Sequence, residues 1–371
     1  MKIVLVMGTS AGGVGRHVTA LAEGLHLRGH EVVLAAPPEE LERFGIGELT
    51  GVGSIPLVVS NRPDPRRDVA ARRDLRALTV DADIVDAHGL RAAALAALST
   101  PNGVPLVATL HNAAPSTRVA GAIYALLERI VARRARIVGG VSTDMVQRMR
   151  HLGARHPRRA VVPAPPRRQP GRDRAQVRAA LGLLTEDYLL VSVGRLAAQK
   201  DFGLLLDAVG QLRDLSVRTV IAGDGPERAA LAARITAEGL PARLLGVRDD
   251  VPDLLAAADV VASSARWEGQ PLWLQEALQV GAPMVVTDAG GTAETLAGAG
   301  LLVPVGDAAA LADGIRMILT DPQCAAAQRL AACQAAETLP TVDDAVDAAL
   351  ASYVEAISMG DPPRRDGTGR G

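Results

Sequence analysis

The chain has 371 residues, of which 48% are hydrophobic and only 2% aromatic, so its length suits two domains of ordinary size with cores of Leu, Val, Ile and Ala. A net charge of −1 argues against a nucleic-acid binder that works through overall charge. No run of eighteen apolar residues is present to span a membrane as a helix.

Taken in order, Ile3–Met7 (IVLVM) reads as a buried strand, far short of a signal-peptide core. A loop, Gly8–Gly15, follows, then an amphipathic helix carrying Val18, Leu21 and Leu25 that ends at Gly29. Glu31–Ala36 (EVVLAA) is the second strand, and strand, glycine loop, helix and strand in this order open a Rossmann-like domain. A nicotinamide dehydrogenase fits poorly. Gly12, Gly13 and Gly15 do not form G-x-G-x-x-G, and the second strand ends in Ala35-Ala36-Pro37 where a ribose-binding carboxylate is wanted. His17 reads either as a site residue or as a capping or packing residue.

Between Arg62 and Leu78 stand Arg62, Arg66, Arg67, Arg72, Arg73 and Arg76, read either as a solvated helix face or as a contact to a lipid headgroup or acceptor. Charge along the chain bears on that choice. Residues 1–170 hold 23 Lys+Arg against 14 Asp+Glu (+9), residues 171–371 hold 17 against 27 (−10), and the halves sum to −1. A basic N-terminal half suits something anionic, such as a phospholipid surface or a phosphorylated acceptor. Asp83–His88 (DIVDAH) and Leu106–His111 (LVATLH) are strands ending in histidine, which puts His88 and His111 at the ligand crevice of a parallel sheet. Neither has a partner pattern that suggests zinc. Tyr124–Arg136 is an amphipathic scaffold helix, the strand IVGGVS follows, and Ser142 reads as the cap of the helix Asp144–Met149 in preference to an acceptor contact. Val162–Gly171 (VPAPPRRQPG), without apolar periodicity, is the linker.

The second half restarts with a helix and the strand Tyr188–Gly194 (YLLVSVG). Arg195, just after that strand, and Lys200, five residues on, are placed for a diphosphate: the guanidinium binds oxygens bidentately and the ammonium supplies a point charge. Arg218–Glu227 is a strand with a tight glycine turn, and Arg243–Val261 gives strand, loop and helix. The run Ala262–Glu294 organises the whole chain. DVVA (Asp259–Ala262) is a short buried strand, Leu272, Leu274, Ala277 and Leu278 recur at helical spacing, Gly281 and Pro283 stop the helix, and Met284–Thr287 is the next strand. Glu268 and Glu276 bracket a helix N-terminus at the C-terminal end of a strand, where phosphate is favoured. Eight helical residues span about 12 Å, wider than the pair of a glycoside hydrolase, so the two carboxylates suit opposite ends of an elongated nucleotide sugar. Leu301–Leu319 is strand, Asp cap and helix; Cys324 and Cys333, about 13 Å apart along one helix, form no disulfide within it and fit a reducing cytoplasm. A last helix, Val342–Ile357, follows Pro340, and from Gly360 the composition is that of a disordered tail.

Glu268, Gly269, Glu276, Pro283 and Gly290-Gly291, in this order, resemble the donor-site motif of the retaining glycosyltransferases with two Rossmann-like domains facing a cleft (GT-B), the large bacterial family four. Glu294 fits the same pattern, whereas Gln270-Pro271 stands where many relatives carry an aromatic residue followed by Gly or Pro, which leaves the sugar preference open. The resemblance implies an α/β fold with an acceptor domain over 1–163, a linker 164–171, a nucleotide-sugar domain over 172–340, a helix 341–358 crossing back to the first domain, and a tail 359–371. It implies that Arg195 and Lys200 bind the donor diphosphate beside Gly194. Backbone around Gln270, Pro271 and Leu272 would hold the sugar and β-phosphate, Glu268 the sugar hydroxyls and Glu276 the ribose. Gly246 and Val247 would lie by the base, Gly12, Gly13 and Gly15 would border donor diphosphate and acceptor, and His111 would lie near donor sugar and acceptor. His88, Arg66 and Arg67 fall on the acceptor side. The expected reaction needs no metal or other cofactor: a sugar passes from a nucleotide diphosphate to a glycan, lipid-linked or small-molecule acceptor, in the cytoplasm or at the inner membrane face, with no nucleic acid as partner. A nucleotide-sugar epimerase of the same fold and a non-catalytic binder are the rival readings.

Overall fold

The computed structural model describes residues 1–9, 12–59, 65–112, 118–167 and 169–360. Arg62, Arg168 and the tail from residue 361 lie outside the described residues. The chain divides into two units, Met1–Pro163 with Pro340–Gly371, and Ala164–Leu339.

In the first unit, continuous apolar runs become strands buried on both faces, and amphipathic segments between them become the covering helices. The order is β1 (Lys2–Met7), α1 (Gly13–Leu27), β2 (Glu31–Ala36), α2 (Pro38–Arg43), β3 (Val52–Pro56), α3 (Pro65–Thr79), β4 (Ile84–His88), α4 (Leu90–Ser99), β5 (Leu106–Leu110), α5 (Arg118–Arg134), β6 (Ile137–Gly140), α6 (Thr143–His151) and β7 (Pro157–Arg159). They form one parallel sheet in the order β3-β2-β1-β4-β5-β6-β7. The chain runs outward in one direction from β1 to β3 and in the other from β4 to β7, so the crevice lies where β1 and β4 part. Register puts Met7 beside His88 and His88 beside Thr109, which aligns the strand ends that carry the histidines.

Two local expectations change. The segment read as a loop to Gly15 is already helical from Gly13, because the Arg16 N–H reaches the Gly12 carbonyl at 3.1 Å. A Cβ on Gly15 would fall 2.0 Å from the Phe44 ring, so the bare backbone there accommodates an aromatic side chain of its own unit. Ser142 does stand ahead of α6, but its hydroxyl donates to the Asp144 carboxylate instead of accepting a backbone N–H, and Asp144 takes the Met145 N–H at 2.9 Å. A short acidic side chain at N2 outcompetes the serine for the exposed amide.

The second unit repeats the plan: α7 (Arg174–Leu181), β8 (Tyr188–Val193), α8 (Phe202–Gly210), β9 (Val217–Ala222), α9 (Arg228–Ala237), β10 (Ala242–Gly246), α10 (Val251–Ala257), β11 (Val260–Ser263), α11 (Leu272–Gln279), β12 (Met284–Thr287), α12 (Thr292–Leu296), β13 (Leu301–Val303), α13 (Ala308–Thr320) and α14 (Pro322–Ala336). Its sheet is parallel in the order β10-β9-β8-β11-β12-β13, with an aliphatic core on each side. Here the order reverses between β8 and β11. The proline- and arginine-rich stretch before α7 is held onto this unit: the Gln279 side chain donates to the Pro165 carbonyl at 2.8 Å, and the Gly171 N–H donates to Asp253 at 2.7 Å. Cys324 and Cys333 on α14 are free thiols.

The last helix, α15 (Val342–Ser358), belongs to the first unit. Thr341 and Asp344 cap it reciprocally, so its start is set by its own sequence. Val346, Tyr353 and Ala356 then enter the core beside β1 and α1. Arg28 pairs with Asp343 at 2.9 Å and Asp347 at 3.1 Å, Arg158 pairs with Glu355 at 2.7 Å, and Arg136 donates to the Ala356 carbonyl at 2.7 Å. Among the described residues, no helix is long and apolar enough to cross a membrane.

Candidate active site

Each unit carries a polar cluster at the point where its strand order reverses. In the second unit the cluster is built on two loops. β8 delivers Gly194 and the exposed Arg195, and the chain then closes back so that the Lys200 N–H meets the Ala197 carbonyl at 2.8 Å. Gly223, at φ 145°, packs its Cα against this loop so tightly that a Cβ would sit 1.9 Å from the Gly194 carbonyl oxygen. From the other side, Ser264 donates to the carbonyls of Lys200 (3.0 Å) and Asp201 (2.8 Å), Arg266 binds the Asp201 carboxylate at 2.7 Å, and Gln199 donates to the Trp267 carbonyl at 2.8 Å. Asp201 holds a left-handed backbone, φ 47°, within this lattice of bonds.

The stitching brings Lys200 and Glu268 together as an ion pair, with 16% and 7% of their side chains exposed. Glu268 is fixed from behind as well: the Gly291 N–H donates to its carbonyl at 2.9 Å, and a Cβ on Gly290 would stand 2.2 Å from that oxygen. Gly269 is buried, Gln270 half-buried, and Pro271, with ψ 111°, stands one residue before α11, so Leu272 opens the first turn. Glu276 is half-buried in the middle of α11, whereas Glu268 lies on the loop ahead of it. The eight-residue helical span inferred from the sequence therefore does not measure their separation. Gly246 ends β10, and Val247 beyond it is 77% exposed. Glu294 is exposed in the first turn of α12.

In the first unit, three histidines meet. His17 on α1, His88 at the end of β4 and His111 just past β5 have ring centroids 5.3, 5.8 and 5.7 Å apart, with His88 and His111 stacked. His88 Nδ1 is 3.4 Å from His111 Nε2, and His88 Nε2 is 3.3 Å from Asp86. Tyr353 of α15 donates its hydroxyl to the same carboxylate oxygen at 2.7 Å. Burial pushes His17 down to about 3, with the neighbouring His88 charge adding to it and Asp86 opposing it. His111 is likewise held well below the usual imidazole value by burial, then by His88 and His17. Burial would raise Asp86, but the charge of His88 and hydrogen bonds from His88 and Tyr353 outweigh it and leave the carboxyl lowered. The Tyr353 hydroxyl goes the other way, well above its usual value, through burial and the Asp86 charge. A cavity of about 60 Å³ beneath the cluster is lined by His17, Asp86, His88, Ser352 and Tyr353. That volume has room for roughly four waters. Among the described residues no group of three or more His, Cys, Asp or Glu side chains is arranged to hold a metal ion.

Of the residues singled out from sequence, the structure joins Lys200 to Glu268 and His88 to His111. Gly12 precedes α1, Gly13 and Gly15 lie in its first turn, and Arg66 and Arg67 are exposed on α3. Asp86 and Tyr353 were not singled out. Asp86 had a signal, since residues i and i+2 of a strand share a face; Tyr353, 267 residues from its partner, had none.

Two Rossmann-like units of this topology define the fold of the GT-B glycosyltransferases. At 20% identity and a TM-score of 0.77, the chain is similar to the crystal structure of Anabaena Alr3699/HepE in complex with UDP-glucose, over 97% of this chain and 100% of that one. Residues 12–165 match the glycosyl transferase 4-like domain, and residues 187–321 match glycosyl transferases group 1. The chain is 30% identical over 315 residues to D-inositol 3-phosphate glycosyltransferase 1 of Catenulispora acidiphila, covering 76% of this chain and 74% of that protein. It is 28% identical over 309 residues to the alpha-D-kanosaminyltransferase of Streptomyces kanamyceticus, covering 77% and 78%. The chain belongs to the group 1 glycosyltransferases and is an enzyme of that class.

Proposed function

We propose that the chain transfers a sugar, with retention of anomeric configuration and without a metal, from a nucleotide diphosphate sugar bound at the β8–β11 cluster. The observation that carries this reading is the Lys200–Glu268 pair, with Arg195 exposed on the Lys200 loop and α11 opening four residues after Glu268. A diphosphate arriving there offers Lys200 two negative charges in place of one, and Arg195 a bidentate partner. Once Lys200 turns to the phosphates, the Glu268 carboxylate is released to accept hydrogen bonds from the sugar hydroxyls. The same two cations, with the amides opening α11, would stabilise the charge that grows on the departing diphosphate, which is the work a metal performs in other transferases. Glu276 would bind the ribose, and Gly246 and Val247 would border the base. HepE, a structural relative, binds UDP-glucose, which supports a UDP-sugar as first candidate donor.

On the first unit, His111 would meet the sugar and acceptor. The exposed arginines of α3, Arg66 and Arg67 among them, suit an anionic or lipid-linked acceptor at the cytoplasmic face of a membrane.

The test is release of nucleotide from UDP-, GDP- and ADP-sugars with and without acceptor extracts, with the product anomer read by NMR. Arg195→Ala is expected to lower kcat about 100- to 1,000-fold while the circular dichroism stays native; near-normal turnover would remove its role. Activity should be unchanged by EDTA, and strict dependence on a divalent ion would overturn the scheme. Donor converted to its epimer with no acceptor present would identify an epimerase instead.

A further inference from the structure

The histidine cluster holds more polar groups than contact with a sugar requires. We propose that Tyr353, Asp86 and His88 are positioning residues that hold His111 in the tautomer protonated on Nε2, so that its Nδ1 accepts a hydrogen bond from a sugar or acceptor hydroxyl. The proposal rests on placing His111 at the reacting sugars, as the reading above does.

The Tyr353 hydroxyl donates to Asp86 Oδ2 at 2.7 Å, which leaves that oxygen ionised and fixed. His88 Nε2 is buried and makes no hydrogen bond among the described residues, but the nearest polar atom it faces is the same oxygen, 3.3 Å away, which can only accept, so the ring proton belongs on Nε2. While the His88 ring is neutral, its Nδ1 is a lone pair and requires a donor, whereas a protonated His88 would itself donate from Nδ1 and place the His111 proton on Nδ1. His111 Nε2 stands 3.4 Å from the neutral ring's Nδ1 and supplies that donor only if the His111 proton sits on Nε2. A neutral ring so protonated keeps Nδ1 as its acceptor. The charged and titratable groups around the cluster agree with a neutral His111. His17 approaches from α1, Asp86 and His88 from β4 and Tyr353 from α15, while Arg158 and Arg159 of β7 line the cavity below. The buried His17 Nδ1 and Asp86 Oδ1, without a hydrogen-bond partner among the described residues, line the same cavity, where water can satisfy them.

The test is the long-range ¹H–¹⁵N spectrum of the ligand-free, ¹⁵N-labelled full chain, with the His111 ring assigned by its loss in His111→Gln. The expected result is a single neutral tautomer with Nε2 protonated and Nδ1 not. A proton on Nδ1 in the wild-type chain overturns the proposal, and this observation needs no variant to fold. In His88→Phe, which removes the acceptor, and in Tyr353→Phe, which frees Asp86, His111 should become a mixture of tautomers; one unchanged tautomer in both overturns it too. With a donor found by nucleotide release, His88→Phe should lower kcat about tenfold with donor KM within about twofold, and an unchanged kcat counts against a positioning role. If the wild-type chain releases no nucleotide from any donor, the transferase reading fails, while the spectrum still decides the tautomer.

Discussion

Lys200 and Glu268 each stand mostly out of water, and each is the other's partner in an ion pair. Removing one partner of such a pair leaves an uncompensated charge, whereas removing both leaves none. Lys200→Met should therefore cost about 3 kcal/mol of unfolding free energy, and Lys200→Met with Glu268→Gln should regain most of it in urea titrations. Equal losses in single and double variants would show that the pair is not coupled. At this scale the sequence was informative where chemistry and position coincide. Arg195 and Lys200 follow a strand that had to be buried, and His88 and His111 end strands of the same kind. It was silent on the pairing itself, because nothing in residues 200 and 268 taken separately says that Ser264, Arg266 and Gln199 will tie their loops together.

The contact of α1 with Phe44, the residue that follows α2, makes a prediction for elements. A methyl group at Gly15 would lie 2.0 Å from the Phe44 ring, so Gly15→Ala should cost about 2 kcal/mol by overpacking. The cost should largely vanish in a Phe44→Ala background, read by thermal melting; a loss that persists there would place the constraint elsewhere. The elements themselves were legible to different degrees. β2 and β12 span the residues expected of them, because an unbroken apolar run flanked by Gly or Pro admits little else. The start of α1 was misplaced because glycines read as loop when their neighbour in space, Phe44, is unknown. The Glu268–Glu276 spacing misled for a related reason: Pro271 delays the helix, and only the second carboxylate is on it. α3 carries its arginines on an exposed helix face, one of the two readings the sequence offered, with Ala71 and Leu75 buried beneath.

For the whole molecule, acid should act on one unit before the other. All seven histidines fall within residues 1–163. His17, held at about 3 instead of its usual 6.5, takes up a proton more readily unfolded than folded. Its contribution is therefore complete above pH 6.5 and is lost as pH falls toward 3, at about 1.4 kcal/mol per pH unit; His111 acts in the same direction. Hydrogen exchange between pH 7 and 5 should show protection falling in residues 1–163 while residues 164–339 hold theirs, and His17→Gln should flatten the slope. Equal loss in both units would refute this. The units part between residues 163 and 164, at the proline-rich stretch, and nothing in that stretch announced its attachment to Asp253 and Gln279. The return of α15 carries one more consequence, for synthesis. When a ribosome has completed residue 339, the second unit has all its strands and helices, but the first still lacks the helix that fills the space beside β1 and caps Asp86. The part made first is thus finished last, against the usual order of emergence, and until then the apolar surface that Val346, Tyr353 and Ala356 cover stays open.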